Sequence, residues 1–225
     1  MNLLKYQEER ISLIKKLLPM FGERFILKGG TALILYYGID RFSEDIDLDI
    51  ISGSLDIIKL LKNPGYNEWN ITVKKDTETV FRVMIDYGAK NHLGNYPLKI
   101  KVSSRNKRDI QAGLRKFENI NNVNVYTLDE IIEQKIVAMG KRDKIRDFFD
   151  VAMLLEKYPE KFTKEQLKSI KTSIDYSNLE DFNFLLKMEI HEHKLKEIDT
   201  EKFVLEFYEN LENRLYNDNI GIEWS

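Results

Sequence analysis

The chain contains no cysteine, which excludes structural disulfides and thiolate-bound zinc. Histidine is almost as scarce. The three present, His92, His191 and His193, include no pair spaced i and i+4, so histidine catalysis and a histidine metal centre are not expected. His191 and His193 read as surface positions of a polar helix. No run of about 18 apolar residues exists to span a bilayer. Met1 to Leu18 sets Lys, Glu and Arg among Leu and Ile at helical spacing, an amphipathic helix without the unbroken apolar core of a signal peptide. A cytoplasmic protein with no membrane partner is expected. No Gly-x-x-x-x-Gly-Lys-Ser/Thr stretch occurs, which argues against a P-loop NTPase. At 225 residues, with 43% hydrophobic and 32% charged residues, the chain suits a soluble globular protein of one domain or two small ones.

What is present concentrates between Gly29 and Asp49. Gly29 and Gly30 follow a short apolar strand, Phe25-Ile26-Leu27, and open a helix from Thr31 to Tyr37. Glycines at a strand-to-helix turn let a ligand approach the backbone, and the unpaired N–H groups of the helix start attract phosphate. Thr31 adds a hydroxyl there. The next strand reads Asp45-Ile46-Asp47-Leu48-Asp49-Ile50. Aspartate is a poor strand former, yet this alternation buries three branched apolar chains and turns three acids to one face. Residues i and i+2 of a strand stand roughly 6.5 to 7 Å apart. Two such carboxylates can share Mg²⁺ (or Mn²⁺), hard ions that favour carboxylate, water and phosphate oxygens. The same alternation also describes a solvated, aggregation-resistant strand edge. Its conjunction with the diglycine turn points to a nucleoside triphosphate.

The second chemical block lies downstream. On a helix beginning near Leu128, the positions Leu128, Ile131, Ile132, Lys135 and Met139 fall along one apolar stripe with Lys135 in its middle. A lysine there either snorkels at the stripe's edge or meets an anion. Asp147 and Asp150, at i and i+3, share a face of the following helix. They either lie in solvent or pair with Arg142 and Arg146.

Gly29-Gly30-Thr31-Ala32-Leu33, followed by Gly38-x-x-Arg41-x-Ser43-x-Asp45-Ile46-Asp47-Leu48, resembles the signature of the AbiEii/AbiGii (MenT-like) toxin family of the DNA polymerase β-like nucleotidyltransferases. Lys135 with Arg146-Asp147-Phe148-Phe149-Asp150 is similar to that family's downstream block, and the likeness runs from about Phe25 to Leu155. It implies Asp45, Asp47, Lys135 and Asp147 as catalytic residues, with Asp45 and Asp47 holding the metal and Asp150 supporting them. It further implies that Gly29, Gly30, Thr31, Arg41, Ser43 and Arg146 bind the nucleotide. Many polymerase β-like enzymes place a third carboxylate on a neighbouring strand. Here the corresponding strand, Leu98 to Ser103, carries Lys101 instead, and Asp86 is the candidate replacement if its strand pairs antiparallel with that one. The resemblance also implies an AbiE-type toxin with an antitoxin partner and an acceptor such as the 3′ end of tRNA.

The expected fold is α/β (α+β): residues 1–127 form a nucleotidyltransferase-like mixed sheet flanked by helices, and 128–225 a helical bundle completing the cleft. Strands are expected near Trp69 to Lys74, Val80 to Tyr87, Leu98 to Ser103 and Val123 to Tyr126, with breaks at Asn63-Pro64-Gly65 and Gly94-Asn95-Tyr96-Pro97. Trp69, Phe148, Phe149 and Tyr158 read as core rings. The net charge of −2 hides an uneven distribution. Lys99 to Lys116 carries seven bases against one acid, a segment suited to RNA phosphates or to a lysine-guarded strand edge, while Asp175 to Ser225 carries thirteen acids against five bases. Three functions follow: a metal-dependent transfer of NMP from NTP to RNA or protein, a degenerate nucleotide-binding protein acting through protein partners, and a glycosyltransferase using Asp-x-Asp to hold a nucleotide sugar. The small size and the diglycine turn argue against the last.

Overall fold

A computed structural model of the chain describes residues 4–62, 69–140, 145–175 and 179–216. Asn63-Pro64-Gly65 and Arg142 lie outside the described residues. Two compact units are present, residues 1–38 with 42–131, and residues 39–41 with 132–225.

The first unit opens with α1 (Lys5–Leu17), whose Ile14 and Leu17 are fully buried and share a face with Gln7 and Arg10. The Leu4 N–H donates to Gln7 Oε1 at 3.0 Å and closes the helix start. A turn through Leu18–Arg24 leads to β1 (Phe25–Lys28), α2 (Gly29–Tyr36), β2 (Ile46–Ile50) and the short α3 (Ile58–Leu61). Then come β3 (Asn70–Asp76), β4 (Val80–Asp86), a small hairpin of β5 (Lys90–Asn91) and β6 (Gly94–Asn95), β7 (Leu98–Ser103), α4 (Lys107–Gln111), β8 (Phe117–Ile120) and β9 (Val123–Tyr126). The sheet runs β3-β4-β7-β2-β1-β9-β8. It is mixed: β2 pairs parallel with β7 and β1 parallel with β9, and the remaining pairs are antiparallel.

Period-two alternation explains which residues are buried. Ile46, Leu48 and Ile50 of β2, Leu98, Ile100 and Val102 of β7, and Phe81, Val83 and Ile85 of β4 are all buried, 3% exposed or less. Their intervening neighbours, Asp47, Lys99, Lys101, Arg82 and Met84, are half-buried. One face of the sheet is therefore apolar core, and the other carries charge. The β8–β9 hairpin and α4 were not expected from sequence. Phe117-Glu118-Asn119-Ile120 lacks strand alternation and is mostly exposed, so its pairing depends on the turn, where Asn121 and Asn122 both take positive φ (51° and 63°). Asn is among the residues that tolerate this two-residue hairpin geometry.

α5 (Leu128–Met139) begins in the first unit. The second contains α6 (Ile145–Lys157), α7 (Lys164–Asp175), α8 (Leu179–His191) and α9 (Thr200–Tyr216). Its core is aromatic. Phe148 stacks on Phe182 at 4.4 Å and meets Phe207 edge-on at 5.1 Å, while Phe149 stacks on Phe203 at 5.4 Å. Trp69 and Tyr158, expected beside these rings as core, are half-buried. His191 ends α8 and His193 follows it, both exposed. Among the described residues, no helix is long and apolar enough to cross a membrane.

Candidate active site

Register fixes the charged face. Asp47 lies opposite Lys28 of β1 on one side and Lys101 of β7 on the other. Lys101 Nζ stands 4.0 Å from an Asp47 carboxylate oxygen, and Lys99 forms an ion pair with Asp45. Asp45 immediately precedes β2, three-quarters buried at its side chain. Burial pushes its carboxyl above the ordinary aspartate value, and Lys99 offsets this only partly. Asp49 shares the face but not the exposure. It is fully buried, accepting from Lys28 Nζ at 2.5 Å, Asn106 Nδ2 at 2.7 Å and the Tyr126 hydroxyl at 2.9 Å. Three acids in alternation thus serve two ends, Asp49 tying β1, β9 and the segment after β7 together while Asp45 and Asp47 keep part of their side chains in solvent.

The diglycine bend sits against this pair. Gly29 has φ +72°, and a Cβ added there would lie 3.5 Å from Asp47 Oδ2. An alanine fits that space but strains the backbone. Gly29→Ala is expected to lower unfolding free energy by about 1–2 kcal/mol, measured by urea titration, from the left-handed conformation alone. The Thr31 hydroxyl donates to the Asp45 carbonyl, so in its 2.9 Å bond with Ser43 the serine is the donor. Thr31 and Ser43 are both buried. They lash the start of α2 to the residues entering β2 and hold bend and acids in register.

Asp86 ends β4. Register sets Arg82, not Asp86, in the row of Lys101 and Asp47, four residues or roughly 13 Å along the strand. Its Oδ1 accepts the Gly88 N–H at 3.0 Å.

The second unit holds the other predicted residues. Lys135 is buried and places Nζ 2.7 Å from Asp147 Oδ1 and 2.6 Å from Asp150 Oδ2. Arg41 grips Asp150 with two parallel bonds, Nε to Oδ1 at 2.5 Å and Nη2 to Oδ2 at 2.9 Å. Burial raises the Asp150 carboxyl, but Arg41 and Lys135 more than reverse this and hold it below its ordinary value. The lysine in the apolar stripe is explained by these two carboxylates. Arg146 pairs with Glu189 at 3.5 Å. The structure therefore gathers Gly29, Thr31, Ser43, Asp45 and Asp47 in one unit, and Arg41, Lys135, Asp147 and Asp150 in the other.

The donors present suit a hard divalent ion. Mg²⁺ is commonly held by one or two carboxylates with the remaining ligands from phosphate and water, and Asp45 and Asp47 supply two. Burial leaves the Asp45 charge short of compensation, which a cation would relieve. Among the described residues, no group of three or more His, Cys, Asp or Glu is arranged as a metal cage.

A diglycine bend apposed to an Asp-x-Asp pair on a mixed sheet is the arrangement of the nucleotidyltransferases. The chain belongs to the nucleotidyl transferase AbiEii toxin family of type IV toxin–antitoxin systems, whose pattern matches residues 17–218. Its fold is similar to the crystal structure of a candidate nucleotidyltransferase from H. pylori, at 26% identity and a TM-score of 0.75, covering 96% of this chain and 98% of that one. JHP933 from Helicobacter pylori is similar at 25% identity and a TM-score of 0.74, with 96% of each chain covered. No curated protein matches the sequence.

Proposed function

We propose that this protein is a divalent-metal-dependent nucleotidyltransferase that moves NMP from NTP to RNA, such as the 3′ end of tRNA. It would act in the cytoplasm as the toxin of an AbiE-type pair restrained by an antitoxin. The observation that supports the reading is the 3.5 Å separation between Asp47 Oδ2 and the Cβ position of Gly29, which sets the proposed metal ligand beside the diglycine bend. An acceptor hydroxyl oxygen bonds to the α-phosphorus, the α–β anhydride bond breaks, and pyrophosphate leaves with the electron pair while the hydroxyl proton passes to solvent. Gly29 and Gly30 offer backbone N–H groups to the triphosphate, with Thr31 and Ser43 fixing the bend. Asp45 and Asp47 are the metal ligands; Mg²⁺ or Mn²⁺ bound there supplies charge neutralisation for the triphosphate. In the second unit the proposed catalytic Lys135 has two of its three donors engaged by Asp147 and Asp150, and Arg41 holds Asp150 in place. Catalysis on this reading is positioning and charge stabilisation.

RNA is favoured over a protein acceptor by a cationic row on the same sheet face. Lys101, Arg82 and Lys75 lie opposite one another on β7, β4 and β3, and the Arg82 Nε is buried with no hydrogen-bond partner. Like charges directly opposite on a sheet repel, and spaced phosphates relieve that repulsion. Replacing Arg82 and Lys75 together by alanine is expected to raise the KM for RNA and to lower the salt slope of RNA binding by roughly 1.4, since each lost contact to a single-strand phosphate removes roughly 0.7. The KM for NTP should hold. Titration of RNA binding against potassium chloride checks it.

A second reading has its own support. Lys99 and Lys101 engage Asp45 and Asp47, as in a degenerate protein that binds nucleotide without turning it over. Incubation with Mg²⁺, each labelled NTP and total RNA separates the two. Label on RNA supports transfer. Label on protein moves the acceptor class, and nucleotide binding without transfer supports the degenerate protein.

A further inference from the structure

Arg10 is a buried guanidinium on α1, outside the stretch matched by the family, and among the described residues its hydrogen-bond acceptors are a phenol and two carbonyls, with no carboxylate. Its Nε donates to the Tyr87 hydroxyl at 2.8 Å, Nη1 to the Glu44 carbonyl at 2.6 Å and Nη2 to the Tyr96 carbonyl at 2.5 Å, and its Cζ lies 4.0 Å over the Tyr96 ring. Burying a cation is costly, and an apolar side chain of similar volume fills such a place without that cost. What an apolar chain lacks is a planar fork that fixes carbonyl groups in direction.

The carbonyl of Glu44 belongs to the peptide that carries the Asp45 N–H. Asp45's own carbonyl is held by the Thr31 hydroxyl. Both peptide planes flanking the Asp45 Cα are therefore pinned, one from α1 and one from α2, and only side-chain torsions of Asp45 stay adjustable. The Glu44 side chain is fastened separately, Oε2 accepting from the Tyr96 hydroxyl at 2.8 Å.

We infer that Arg10 is a positioning residue that, through the Glu44 carbonyl, aims the Asp45 carboxylate at the divalent cation. The inference rests on the proposed metal-dependent function. In this role Arg10 acts through one peptide plane, not by contact with nucleotide or metal.

The test is Mn²⁺ binding in the presence of NTP, followed by electron paramagnetic resonance, on the full chain. Wild type is compared with Arg10→Met, Arg10→Lys and Tyr96→Phe, each first checked for cooperative thermal unfolding. Arg10→Met is expected to weaken Mn²⁺ about tenfold or more, the usual scale for losing a group that orients a metal ligand. NTP binding in EDTA should stay unchanged. Arg10→Lys, which keeps the charge but not the fork, is expected to lose about tenfold, the low end of that scale, and carries the test if Arg10→Met does not fold. Tyr96→Phe removes only the hydroxyl bonded to the Glu44 side chain and should bind Mn²⁺ within about twofold of wild type, well short of that scale. Wild-type binding with unchanged affinity in the Arg10 variants overturns the positioning role alone. A wild type that binds no Mn²⁺ overturns both this role and the metal-dependent function.

Discussion

Asp45→Asn is expected to cost about 10²- to 10³-fold in NMP transfer, the scale of losing one group that stabilises transition-state charge, and nothing in stability. The two halves of that result come from one side chain. Burial raises the Asp45 carboxyl above its ordinary value and Lys99 does not fully restore it, so the folded protein holds this group as an anion less readily than the unfolded chain does. A raised carboxyl opposes folding at pH values above its folded pKa, and the penalty is relieved as pH falls through that value. Removing the charge therefore leaves the metal-free melting temperature at neutral pH unchanged or higher. Such a trade of stability for activity marks a functional residue. On the proposed function the ionised form holds the metal, so transfer by wild type at sub-saturating metal should rise with pH. Initial rates with labelled NTP, beside thermal melts without metal, check both halves. A variant that loses activity only because it unfolds would contradict the account.

Asp150→Ala should behave in the opposite way, losing about 3–5 kcal/mol of unfolding free energy, the scale for breaking a buried ion pair by removing one partner. Asp150 is fully buried, and without it the Arg41 guanidinium and the Lys135 ammonium keep their charges in a low-dielectric setting, with Asp147 in contact with Lys135 and Asp147 and Glu189 acting on Arg41. The sign with pH also reverses. A depressed carboxyl contributes stability above its unfolded pKa, and that contribution is lost as pH falls through the lower folded value. Urea titration at neutral pH and again near pH 3 measures it: the wild-type advantage over Asp150→Ala should shrink in acid. A loss under about 1 kcal/mol at neutral pH, the size of an exposed pair, would show that the network bears little weight.

The contrast between these two aspartates shows what the sequence makes legible. Alternation in Asp45 to Ile50 marks β2 and one acidic face, and local periodicity is enough for that. It does not distinguish Asp49 from Asp47, because the groups that bury Asp49 arrive from Lys28, Asn106 and Tyr126, up to 77 residues away. Lys135 is conspicuous in an apolar stripe as a charge in need of an anion, but its partners are not legible: the sequence offers Asp147 and Asp150 to solvent or to Arg142 and Arg146, whereas both meet Lys135 and Arg146 turns to Glu189. Arg41 as the partner of Asp150 is not legible either, standing 109 positions away along the chain. Arg10 looks like any charge on an amphipathic helix until its partners just after β4, just after β6 and in the loop before β2 are in place. The signal for the β8–β9 hairpin was present in Asn121-Asn122, two residues suited to positive φ, but the strand before it lacks apolar alternation. Strands β7 and β9, with strong β-branched content, match the sequence expectation over Leu98–Ser103 and Val123–Tyr126.

The central claim is that Asp45 and Asp47 grip a divalent ion beside a triphosphate seated on the Gly29–Gly30 bend. Binding of Mn²⁺ to wild type and to Asp47→Asn, each titrated with and without NTP by electron paramagnetic resonance, addresses it most directly. The account predicts one Mn²⁺ held by wild type that tightens when NTP is present, and loss of that coupling in Asp47→Asn. Equal Mn²⁺ binding by the two proteins, or binding indifferent to NTP, would contradict it.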